Sequence, residues 1–210
     1  MSASPKHSLT LCLETGIAGG SVALFNGEGL IASRTGEGST SRSEDLLPAV
    51  EALLTETDAT PADIVRIAVS LGPGSFTGLR IGIASALGLS RALGCDVVGV
   101  PLLPTMLSMS GKNGRVVVVP VGKNDRAYLF ESDSAPRIAD SGDIFDLVSS
   151  ATTVIAPLAL MPELQEINCE VIDTGRNLAA VIGSAADSGF ASRELTPIYL
   201  QNPARSRGLY

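Results

Sequence analysis

Tryptophan is absent from the 210-residue chain, histidine occurs once, as His7, and aromatic residues make up only 4% of the composition. Imidazole is the side chain whose ordinary pKa falls between pH 5 and 8, so neutral-pH acid–base chemistry would have to use a carboxylate or lysine with a strongly shifted pKa. Aromatics so few and so scattered in sequence do not suggest a platform for stacking nucleic-acid bases. Cys12, Cys95 and Cys169 are odd in number and far apart, without the paired spacing of a metal or redox motif. They read as small buried hydrophobes in a reducing compartment. There is no dense Lys/Arg run and the net charge is −7, so the basic patch that neutralises phosphates is missing. In a nucleic-acid pathway a partner would then supply most of the grip on the nucleic acid, or the acidic surface would meet a basic partner. No apolar run approaches the roughly 18 residues of a membrane span, and Met1–His7 lacks the apolar core of a signal peptide. The expectation is a cytoplasmic protein with no membrane contact. Hydrophobic residues, at 45%, are enough to bury a core as one domain or two small lobes.

What the chain does have is glycine in a specific setting. Leu71-Gly72-Pro73-Gly74-Ser75-Phe76-Thr77-Gly78-Leu79-Arg80-Ile81-Gly82 joins a glycine-rich turn to a helix, and the β-branched run Ile64-Val65-Arg66-Ile67-Ala68-Val69 before it reads as a buried strand. Thr77 can cap the helix. Such a junction aims backbone N–H groups and a helix dipole at one point, so it is either an anion site or simply a tight connection. Three known phosphate or nucleophile motifs do not fit. A Walker A loop needs Lys where Leu79 stands, and a dinucleotide fingerprint needs Gly where Thr77 stands. A hydrolase elbow needs glycines where Pro73 and Thr77 flank Ser75.

Hydrophobic periodicity gives an order of elements that repeats. Strands are predicted near 9–14, 20–25 and 29–35, with Asn26-Gly27 as the hairpin signal, then a helix at 43–57, a strand at 64–70, a helix at 77–93 and a strand at 96–100. The second half starts again with Val116–Val119, Ala127–Phe130 and a strand near 136–139. A helix near 143–150, a strand at 154–156, a short helix at 158–165, a strand at 169–173 and a helix at 176–188 complete it. Both halves read βββαβα.

The 71–82 string closely resembles the signature of the TsaB (YeaZ) family of tRNA threonylcarbamoyladenosine biosynthesis proteins. The resemblance is supported in register by Leu9–Thr15 followed by Gly20–Leu24, by Ser43-Glu44-Asp45-Leu46-Leu47-Pro48, and by Leu195–Leu200, and it is faint between Pro101 and the tail. It implies an α/β, actin-like ATPase (ASKHA, ribonuclease H-like) fold with two lobes, an N-terminal one over 1–102 and a smaller, degenerate C-terminal one over 103–210, whose tail from about 195 packs back on the first. In that fold the first hairpin holds nucleotide phosphates through Asp-x-Gly-x-[Ser/Thr]. Here the string is Glu14-Thr15-Gly16-Ile17-Ala18-Gly19-Gly20-Ser21, with Glu14 in place of the Asp. Glu can hold magnesium through water, but its extra methylene displaces the carboxylate. In the catalytic relatives two histidines on the first helix bind a metal; the matching position here is Arg42. Glu44 and Asp45 read as helix-start residues, with Ser41-x-x-Glu44 fitting a capping box. The expectation is therefore no cofactor, no metal and no catalytic residue.

The resemblance implies a non-catalytic scaffold that pairs with a TsaD-like catalytic paralogue and a TsaE-like ATPase. Their complex transfers a threonylcarbamoyl group to the adenosine next to the anticodon of tRNAs reading ANN codons, and this chain would reach tRNA only through the complex and form a homodimer when alone. On the first helix Leu46, Leu47, Val50, Leu53 and Leu54 form a stripe. On the second Gly78, Gly82, Ala86 and Ser90 recur every four residues beside the larger stripe Leu79, Ile83, Leu87 and Leu93. The small row admits close approach of either the first helix or a partner's helix. The interface expected is Leu46, Val50, Gly78, Gly82, Ala86 and Ser90. A small-metabolite kinase or ATPase of the same fold is the alternative, and a metallopeptidase-like protein is weaker for want of a usable His.

Overall fold

A computed structural model describes residues 8–36, 43–111, 114–121, 126–132 and 134–200. It contains two five-stranded sheets. The first has the order β3-β2-β1-β4-β5, from β1 (Leu9–Glu14), β2 (Ser21–Asn26), β3 (Gly29–Thr35), β4 (Ile64–Gly72) and β5 (Asp96–Pro101). The second has the order β10-β9-β6-β7-β8, from β6 (Arg115–Pro120), β7 (Arg126–Glu131), β8 (Arg137–Asp140), β9 (Thr153–Ala156) and β10 (Glu170–Asp173). In each, one antiparallel meander runs into parallel strands reached by helical crossovers. The Asn26 signal is explained locally, since its side-chain oxygen accepts the N–H groups of Glu28 at 2.8 Å and Gly29 at 3.1 Å and fixes the hairpin.

The sheets' two faces divide the core. On the first sheet Leu11, Leu13, Val22, Leu24, Ile67 and Val69 point to one side, where helices α1 (Ser43–Glu56) and α2 (Phe76–Leu93) cover them. Cys12, Ala23 and Ala68 point to the other, as the two-residue period of a strand requires. That second face is shared. Helices α3 (Leu102–Ser108) and α5 (Leu178–Ser184) pack into one cluster with Cys12, Ala23 and Ala68 from the first sheet and Val117, Val119, Tyr128 and Ile155 from the second. The outer face of the second sheet, with Val116, Val118, Leu129 and Val154, is covered by Ile144 and Val148 of α4 (Ser141–Ser150) together with Met161 and Leu164.

Three elements differ from the sequence pattern, the first being the helix expected at 176–188, which spans only Leu178–Ser184. The stretch 102–114 shows no helical signal because Pro104 interrupts it, yet α3 forms, with the proline in the first turn where its missing N–H costs no internal bond. The expected helix at 158–165 is two short 3₁₀ turns, Leu158–Leu160 and Pro162–Glu166, because Pro162 cannot donate to a continuing helix. Among the described residues no helix is long and apolar enough to cross a membrane.

Candidate functional site

The first hairpin turn and the glycine-rich turn before α2 meet at the end of the first sheet. Ser75 N donates to Gly16 O at 2.8 Å, and Thr15 Oγ1 donates to Gly78 O at 2.7 Å across 63 residues of sequence. A Cβ added at Gly74 would lie 2.7 Å from Gly16 Cα, so the two backbones are in direct contact. Glycine at both positions is what allows this approach. Ser75, rather than Thr77, caps α2, its hydroxyl accepting from Gly78 N at 3.1 Å.

Glu14 is 1% exposed, and its Oε1 accepts from Gly16 N at 2.7 Å and Ile17 N at 3.2 Å. The protein's own carboxylate thus sits on the N–H groups that a glycine-rich turn would otherwise offer to an anion. Burial pushes the Glu14 carboxyl up to about 7, outweighing the two N–H bonds that pull it down. At the other end of the string Ser21 Oγ accepts from Ala179 N at 2.9 Å in the first turn of α5. Asn177 completes this clamp: its side-chain oxygen accepts from Ala180 N at 3.1 Å, and its amide donates to Val22 O and Arg34 O at 3.3 and 3.0 Å. The polar ends of Glu14–Ser21 are therefore engaged by the chain itself. Cys12, Cys95 and Cys169 are free, and burial pushes each thiol up, away from the reactive thiolate. Among the described residues no three His, Cys, Asp or Glu side chains converge as a metal site; His7, Ser41 and Arg42 lie outside the described residues.

The expected interface residues turn inward. Leu46 and Val50 are each 6% exposed and face the sheet. Gly78, Gly82 and Ala86 are buried, and a Cβ at Gly82 would collide with Thr15 Oγ1, one at Gly78 with Thr15 O. Ser90 Oγ donates to Cys95 O at 2.6 Å. The small row is small because β1 and its turn pack there, so it is an internal seam and not a partner-facing one. The outward faces are different: Leu47 is 53% and Leu87 49% exposed, and Gly88 has open space around it.

Sequence spacing also missed an aromatic pair. Phe76 and Tyr199 lie 123 positions apart, but their rings are 5.1 Å apart at 36°, and the Arg80 guanidinium sits 3.6 Å over the Phe76 ring. The returning chain makes this pair, because Ser192 bridges Gly99 and Ile198 N donates to Leu71 O at 2.7 Å. Beside it opens a cavity of about 380 Å³ walled by Phe76, Tyr199, Tyr128, Arg126, Ile138 and Leu200. A larger groove, of about 1040 Å³, lies away from these turns, between α4 and the 3₁₀ turns, with Phe145 and Met161 in its walls.

The family model described as TsaD, tRNA N6-adenosine threonylcarbamoyltransferase, matches residues 37–173. TsaB of Escherichia coli (strain K12), a tRNA threonylcarbamoyladenosine biosynthesis protein, is 28% identical over 187 residues, 88% of this chain and 78% of the relative. YeaZ from Pseudomonas aeruginosa superposes with a TM-score of 0.60 at 20% identity, covering 92% of this chain and all of that one, 100%. The activator of the 2-hydroxyisocaproyl-CoA dehydratase from Clostridium difficile, solved with bound ADPNP, has a TM-score of 0.54 at 12% identity, over 86% of this chain and 94% of that one. These likenesses make the fold the actin-like ATPase (ASKHA) fold. With its signature at the strand-to-helix turn, its engaged hairpin and the matches in sequence, the chain belongs to the TsaB (YeaZ) family, within the reach of the TsaD-type family model.

Proposed function

We propose that this chain acts in tRNA threonylcarbamoyladenosine biosynthesis as a non-catalytic scaffold subunit, pairing with and activating a TsaD-like catalytic paralogue. A TsaE-like ATPase joins the pair, and the product is N6-threonylcarbamoyladenosine next to the anticodon of tRNAs reading ANN codons. The observation that carries the reading is the engaged hairpin, where Glu14 holds the N–H groups of its own turn and Ser21 accepts the Ala179 N–H in the first turn of α5. A subunit whose phosphate turn is filled by its own side chains contributes surface rather than catalysis. The surface it offers is the outer side of α1 and α2 around Leu47 and Leu87, which are half exposed among the described residues. The same faces would form a two-fold homodimer in the absence of the partner, since a surface fitted to a paralogue of the same fold accepts a copy of itself.

The test is co-purification of the full-length chain with its TsaD-like paralogue, with modified adenosine in cellular tRNA quantified by mass spectrometry after depletion of the chain. Loss of the modification and its return on complementation, by wild type and by a Glu14→Gln variant alike, supports a scaffold. ATP turnover by the isolated chain that disappears in Glu14→Gln would instead favour a kinase or ATPase of the same fold.

A further inference from the structure

We propose that the Phe76–Tyr199 pair and the cavity beside it form a contact site for single-stranded RNA, so that this subunit itself holds a nucleotide of the substrate rather than reaching RNA only through its partners. The proposal rests on the tRNA-modification reading and deepens it.

Charge is the first argument. The chain carries a net charge of −7, yet the site has Arg80 on one side and Arg126 in the cavity wall. Among the described residues neither makes an ion pair, in contrast to Arg34, Arg66, Arg137 and Arg193, which each have a carboxylate partner. Asp140 stands opposite Arg126 in the strand register without an ion pair between them. Two guanidinium groups outside the ion pairs of the described residues, at one site in an acidic molecule, form a local exception that attracts an anion.

Shape is the second. Phe76 is 53% and Tyr199 39% exposed, whereas Leu195 and Leu200 of the same tail segment pack against the core. An exposed aromatic pair with a guanidinium stacked on it is the surface on which an unpaired base stacks, and a neighbouring arginine then meets the phosphate. A protein partner is the less favoured occupant, because the exposed aliphatic residues of the helices, Leu47 and Leu87, are elsewhere. Leu87 is eleven residues along α2 from Phe76, about 16 Å at a helical rise of 1.5 Å per residue. Duplex RNA is excluded by the need for an unstacked base.

The experiment measures binding of a 3′-fluorescein-labelled, adenosine-containing single-stranded RNA heptamer to the full-length chain by fluorescence polarisation across a salt series, with AMP as competitor. Binding should weaken on the order of tenfold in Phe76→Ala and in Tyr199→Ala, the loss expected for one stacked base. Arg80→Ala and Arg126→Ala should each lower the slope of log affinity against log salt by about 0.7, one phosphate each. Arg137→Ala, whose guanidinium pairs with Glu131, should bind like wild type, and thermal melts should show all five variants folded. No RNA binding by the wild type, or aromatic variants that bind as well as wild type, overturns the proposal. AMP competing as tightly as the heptamer overturns it in favour of a mononucleotide pocket. Unchanged RNA binding with weakened capture of the paralogue overturns it in favour of a protein-docking site. The parent reading fails separately, when wild-type chain neither captures the paralogue nor supports tRNA modification, whatever the RNA result.

Discussion

Three glycines of α2 should answer differently to one added methyl group. Gly88 has nothing within 4 Å of an added Cβ, so Gly88→Ala gains only helix propensity and should raise stability by up to about 1 kcal/mol. Gly82→Ala meets Thr15 Oγ1 and Gly78→Ala meets the Thr15 carbonyl. Overpacking of about 1–3 kcal/mol should then exceed the propensity gain, and Gly78→Ala should be the worse because backbone yields less than a hydroxyl. Chemical denaturation of the three variants checks the order. Glu14 carries a second residue-scale prediction. Its folded carboxyl titrates at about 7 against 4.5 for an unburied Glu, so the neutral form is the one the fold favours. That stability is intact below pH 4.5 and is lost as pH rises through about 7, a swing of about 3 kcal/mol at 1.36 kcal/mol per pKa unit. Unfolding free energies of wild type and Glu14→Gln, measured from pH 4 to pH 8, should diverge in that window, with the wild type losing the more. Parallel curves would mean that Glu14 titrates as it does in the unfolded chain.

At the scale of the element, α1 and α2 each present one face to the first sheet and one to solvent, and the two should be separable by mutation. Leu46→Ala or Val50→Ala opens a cavity in the cluster that also holds Leu11, Val22 and Leu24 and should cost about 2–5 kcal/mol for the leucine and somewhat less for the valine. Leu47→Asp and Leu87→Asp fall at half-exposed positions and should shift stability by no more than about 0.5 kcal/mol, while abolishing capture of the TsaD-like paralogue. Melting curves and co-purification of the same four variants give the comparison. If the inward pair loses the paralogue while folded and the outward pair keeps it, the partner face is not on these helices.

For the whole molecule, the shared cluster makes the two sheets mechanically dependent. Helix α5 is built from residues 178–184 yet is held by Ser21, Val22 and Arg34 of the first sheet. Asn177→Ala removes its cap and both bonds to the first sheet, so it should cost about 1–3 kcal/mol. A single, cooperative unfolding transition is expected in both wild type and variant. Two calorimetric transitions in the variant would show that the lobes hold together through this clamp alone. ATP added at saturating concentration should leave the melting temperature unchanged, because the turn that would take phosphate is filled by Glu14.

Sequence alone determined which segments become strands and helices at most positions, because a two-residue or 3.6-residue hydrophobic period is a local property that survives burial. It also identified Glu14 and the turn at Gly72–Gly78 as the places to look, since glycine spacing and a substituted acid are visible without coordinates. Helix α3 was not legible: Pro104 masks its pattern, and only the two sheets meeting over Leu102, Leu103 and Met106 show why it forms. Which helix face looks inward was decided by the tertiary structure. A row of small residues reads the same whether its neighbour is another molecule or this chain's own Thr15, and the closeness of Thr15 to Gly78 and Gly82 depends on β1 and α2 meeting across more than sixty residues. The Phe76–Tyr199 pair follows the same logic. Nothing local links residue 76 to residue 199; the return of the chain along β5 brings them together, and distance in sequence carries no information about that.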